Sequence, residues 1–66
     1  MTSDLRREFA DITARLEALH GISVEGQHRD NSPDMQRVLI AHLRSGVSAM
    51  DGRLRTMSAA IDRRSR

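Results

Sequence analysis

The sequence predicts an all-α chain: a helical hairpin, short helix 1 and long helix 2, assembling into a coiled-coil-like bundle or array. Three observations predict it. Apolar residues recur at alternating spacings of three and four over two separate stretches. Start and stop signals for helices bracket both stretches. The composition is aliphatic and charged, with one aromatic residue (Phe9) and no Trp or Tyr, so Leu, Ile, Val, Met and Ala must do the packing.

The first helix is expected over about 4–20. Ser3 or Asp4 can cap its start, and Leu5, Phe9, Ile12, Leu16 and Leu19 form a heptad seam. Asp11 and Arg15 make an i, i+4 pair in the favoured orientation. Gly21 follows His20 and reads as a left-handed stop, after which Ile22 folds back on Leu16. Residues 21–32 form the connection, polar and closed by an Asp-Asn-Ser cluster.

The second helix is expected over about 33–64. Ser32 is a good N-cap, Pro33 suits the first helical position and Asp34 favours the positive end of the helix dipole. Ile40, Leu43, Val47, Met50, Leu54, Met57 and Ile61 follow at spacings of three and four without a fault. Called by heptad letter, Ile40, Val47, Leu54 and Ile61 fall at a, and Leu43, Met50 and Met57 at d. β-Branched residues at a with Leu or Met at d lean toward a parallel pair. The flanks, Arg44, Asp51 and Ser58 on one side and Leu39, Gly46, Arg53 and Ala60 on the other, form no clean set of opposite charges and several are small or apolar, which favours a wider bundle. Gly46 and Gly52 each cost about 1 kcal/mol against Ala. The heptad phase crosses both unchanged, so one continuous helix is expected over a break into three. Gly46 lies beside the seam, where a small residue lets another helix approach. The cluster Arg63, Arg64 and Arg66 complements the helix end.

A single domain spanning 1–66 is expected. A chain of this size buries only about 60% of the surface its unfolded form exposes, so an added staple is needed. Cysteine is absent, which excludes disulfides. His20, His28 and His42 have no pairwise i, i+3 or i, i+4 spacing, so no metal site is expected. A protein partner is the remaining staple. At 1.5 Å per residue the predicted helices span about 26 and 46 Å. The first then covers half of the second, leaving Val47, Met50, Leu54, Met57 and Ile61 open.

No glycine-rich phosphate loop, cysteine nucleophile or linked Ser/His/Asp motif is present, and no cofactor or catalytic residue is expected. His28, Asp30 and Ser32 read as turn chemistry and a cap. No apolar run approaches the roughly 18 residues of a membrane span, and Arg6, Arg7 and Glu8 interrupt any signal-like stretch. Synthesis in the cytoplasm is the expectation, with packaging into a particle or export without a cleavable signal as further routes.

All eleven basic residues are Arg, with nine acids and a net charge of +2. Residues 1–32 hold four Arg and six acids (−2), and residues 33–66 hold seven Arg and three acids (+4). The basic half suits an acidic partner or the acidic half of the same chain. Arg53, Arg55, Arg63, Arg64 and Arg66 are candidate contacts for an anionic partner.

Function follows as an expectation. The chain reads as a non-enzymatic structural or scaffolding protein, a homo-oligomer or a subunit of a filament, particle, or secretion- or phage-type complex. Its interface is the seam Ile40, Leu43, Val47, Met50, Leu54, Met57 and Ile61. The alternative is a small dimeric nucleic-acid-binding regulator, with a helix-turn-helix corner near Ser45 and Gly46, or a helical inhibitor or adaptor of a host protein.

Overall fold

A computed structural model describes residues 5–64. It contains two helices, α1 (Leu5–Glu25) and α2 (Pro33–Arg64), packed against each other as an antiparallel hairpin. The body is 53 Å long and 13 to 16 Å across.

Helix α1 does not stop at Gly21. It continues five residues further than expected from the sequence, to Glu25. Gly21 has ordinary helical geometry, since no glycine among the described residues has a positive φ. The gain from continuing is Ile22, which sits half-buried and shares a cleft with Leu39 and Leu43 of α2. Burying part of one Ile offsets the roughly 1 kcal/mol that a helical glycine costs. The expected return of Ile22 onto Leu16 does not form. The proposed caps at Ser3 and Asp4 lie outside the described residues.

The connection is therefore residues 26–32, not 21–32. Part of its polar backbone is satisfied locally. Gly26 N donates to Ile22 O at 3.0 Å, and Gln27 N to Val24 O at 3.0 Å. The Asn31 side-chain amide then donates to Glu25 O at 2.8 Å, closing one of the carbonyls a helix end leaves open. The start of α2 is as the sequence predicts. Ser32 Oγ accepts from Met35 N at 3.1 Å, and Ser32 O accepts from Gln36 N at 2.9 Å.

Helix α2 runs unbroken through Gly46 and Gly52, so no helix-turn-helix corner exists at Ser45–Gly46. Gly46 meets α1 directly: a Cβ there would collide with Leu19 Cδ2. Small size at Gly46 thus sets how close the two helices come. Around Gly52 a Cβ would meet nothing, and nothing in the structure explains that glycine.

The residues turned inward form one row pair per helix. On α1 they are Leu5, Glu8, Ile12, Arg15, Leu19 and Ile22, with Asp11 half-buried beside them; on α2 they are Leu39, Leu43, Gly46, Met50, Arg53, Met57 and Ala60. Both keep three-and-four spacing, but each is rotated by one row from the seam expected. Among the described residues, Ile12 and Met57 alone are buried, at 9% and 6% exposure. Leu5 lines a cleft with Met57 and Ala60, so α1 reaches almost to the far end of α2. The expected half-coverage is thereby corrected: Met50 is half-buried and Met57 buried against α1. What stays open on α2 is a lateral row together with Met35 and Val38 near its start, not its distal half.

Candidate interaction surface

That lateral row is Ile40, Val47, Leu54 and Ile61, exposed by 55, 53, 41 and 46%. The four residues are spaced by seven, so they stack along one edge of α2. On α1, Phe9 and Leu16 are also spaced by seven and are 58 and 51% exposed. Each of these residues directly follows a residue of an inward row: Glu8 and Arg15 on α1, Leu39, Gly46, Arg53 and Ala60 on α2.

Like rows of two parallel helices lie on opposite sides of the pair. Turning one helix end over end, while its inward face stays inward, brings like rows to the same side. In this antiparallel hairpin the rows of Phe9 and of Ile40 therefore share one flank. The clefts agree with this. Ser23, next in the Phe9 row, lines one cleft together with Ile40. Ala18, His42 and Ala49 line a separate cleft on the opposite flank. One flank is thus large and apolar, the other small and polar.

The seam predicted from sequence is divided by this arrangement. Leu43, Met50 and Met57 face α1, while Ile40, Val47, Leu54 and Ile61 face outward. Phe9 and Leu16, expected in the core of helix 1, join the outward set. Their placement depends on which side of α1 faces inward, which spacing alone does not reveal. The usable signal was the pairing of small Gly46 and basic Arg53 with the acidic α1.

Charge fixes the hairpin's register. Arg53 is half-buried between the helices; Nη1 donates to Glu8 Oε1 at 3.1 Å and Nε to Asp11 Oδ2 at 2.9 Å. Arg15 Nε donates to the same Asp11 oxygen at 2.8 Å. The Arg15 hydrogen bond pulls the Asp11 carboxyl below its ordinary value. Desolvation opposes it, and the charges of Arg15 and Arg53 add to it.

The candidate anionic-partner contacts are scattered. Arg53 belongs to this internal cluster. Arg55 is exposed and held by Asp51 at 2.9 Å. Arg63 and Arg64 sit exposed in the last turn of α2, and Arg66 lies outside the described residues. His20, His28 and His42 are exposed and apart, with His28 beside Glu25 at 3.9 Å. Among the described residues no three His, Cys, Asp or Glu cluster as metal ligands, and no helix is long and apolar enough to cross a membrane. Compared with protein-family models, with curated proteins and with solved structures, the chain finds no match.

Proposed function

We propose that this chain is a structural, self-associating helical hairpin that acts by binding and not by catalysis. One observation carries the reading. Six large apolar side chains run along a single flank, each 41 to 58% exposed, while two of the described residues are buried inside. An apolar strip of that extent, larger than the chain's own core, marks an interaction site. Covering each side chain fully is worth about 1.5–3 kcal/mol relative to full exposure. About half of that remains to be gained here. Homo-oligomerisation, or incorporation into a larger assembly such as a filament or particle, would supply the cover.

The nucleic-acid reading has weaker support. Arg37, Arg53 and Arg55 each hold a carboxylate of the same chain, and they do not form a stripe. Phosphate-led binding would fall steeply with added salt.

The test is absolute mass by light scattering with refractive-index detection, since Trp and Tyr are absent. The expected result is a dimer or larger species for the native sequence. Val47→Asp with Leu54→Asp should give a helical monomer, because both positions are exposed in the hairpin. A native chain that stays monomeric at high concentration defeats the reading.

A further inference from the structure

The geometry points to a second copy of this chain as the occupant of the apolar flank, docked antiparallel across a twofold axis to close a four-helix bundle. This rests on the self-association proposed above and specifies its partner and orientation.

A closed twofold contact needs a surface that is complementary to itself after rotation. The flank has that property twice over. On α2 the row Ile40, Val47, Leu54, Ile61 is symmetric about a point between Val47 and Leu54. On α1 the pair Phe9 and Leu16 is symmetric about a point between Ile12 and Thr13. The hairpin sets Leu19 against Gly46 and Asp11 against Arg53. In that register the two midpoints lie at the same level to within about one or two residues, or ~1.5–3 Å along the axis. A single axis therefore serves both helices. Val47 then meets Leu54 of the second copy, Ile40 meets Ile61, and Phe9 meets Leu16.

The opposite docking, with both connections at one end, fits less well. It lays α1 over α2 of the other copy, where Phe9 and Leu16 supply two large apolar residues against the four of the α2 row. It also sets Ile40 against the Ser23 row position, leaving an apolar side chain against a hydroxyl. In the antiparallel arrangement each α2 is covered by another α2 of equal length, and every apolar residue of the flank meets another.

The size is sufficient. A flank 53 Å long and 13 to 16 Å wide outlines an area on the order of 800 Å², about what each partner contributes to a standard stable interface.

The test places a spin label at Asp34→Cys in this cysteine-free chain. Asp34 is almost fully exposed, near the connection and away from the flank. Pulsed dipolar spectroscopy then reads the distance between the two copies. Antiparallel docking puts the labels about 50 Å apart, at 1.5 Å per residue. Docking with both connections at one end puts them within about 30 Å, two to three helix diameters. A dimer with the long distance supports the proposal. A dimer with the short distance overturns the orientation while self-association stands. A monomer overturns both. A species larger than a dimer overturns the closed bundle, and a dimer that survives Val47→Asp with Leu54→Asp overturns the choice of flank. Helicity by circular dichroism shows whether that variant still folds, and Phe9→Asp gives an independent check from α1.

Discussion

At the scale of single residues, the most consequential group is Asp11, because one carboxylate ties both helices together. Its Oδ2 receives Arg15 from its own helix and Arg53 from the other, at 2.8 and 2.9 Å. The charged form is favoured in the fold, so the folded pKa lies below the ordinary 3.8. A depressed carboxylate contributes stability that is fully present above the unfolded value and is lost as pH falls through the folded one. Asp11→Asn should therefore melt at a lower temperature than the native chain at pH 7. The gap should begin to close below about pH 3.8 and vanish once the native carboxyl is protonated. Thermal melts followed by circular dichroism at stepped pH check this; a gap of constant size down to pH 2 would show that the Asp11 charge does not matter. Sequence alone made the Asp11–Arg15 pair visible, because i, i+4 spacing is local. It offered the acidic half of the chain only as one of two partners for the basic half, and it placed Arg53 on the rim. That error arose because three adjacent rows of α2 are apolar or small, and periodicity does not say which two turn inward.

At the scale of elements, existence and type were legible and one boundary was not. The start of α2 carries three concordant local signals, Ser32, Pro33 and Asp34, and the structure uses the cap as expected. The end of α1 depended on Gly21, whose role is decided by a tertiary contact: Ile22 packs toward α2, and the helix goes on. The three helical glycines now separate into two kinds. At Gly21 and Gly52 a Cβ meets nothing, and at Gly46 it strikes Leu19. Gly21→Ala and Gly52→Ala should each raise stability by about 1 kcal/mol through helix propensity alone. Gly46→Ala collects the same propensity but must displace Leu19, and overpacking of this kind costs about 1–3 kcal/mol. The expected ranking by urea denaturation is Gly21→Ala and Gly52→Ala above the native chain, with Gly46→Ala at or below it. A destabilised Gly21→Ala would mean that the helix ends where the sequence alone suggested. A stabilised Gly46→Ala would mean that the helices are not in close contact there.

At the scale of the whole molecule, the hairpin has more apolar surface outside than its interior can use. Two buried residues among those described form a thin core, and domains of this size are marginal alone. If the missing burial comes from a second copy, folding and association are one equilibrium, and stability must depend on concentration. For two chains melting together, each tenfold rise in concentration adds about 1.4 kcal/mol per dimer. Unfolding entropy of about 2.1 cal/mol/K per residue over both chains converts this to a rise in Tm on the order of 5 °C per decade. Melts from micromolar to millimolar chain should show that slope, and Val47→Asp with Leu54→Asp should flatten it while retaining helical signal at low temperature. A native Tm independent of concentration would mean that the hairpin is sustained by its own seam, through Ile12, Met57 and the Arg53 cluster. The exposed flank would then be held for a different protein. Concentration dependence in the native chain, lost with two substitutions on one flank, would instead locate the missing part of the core between two copies.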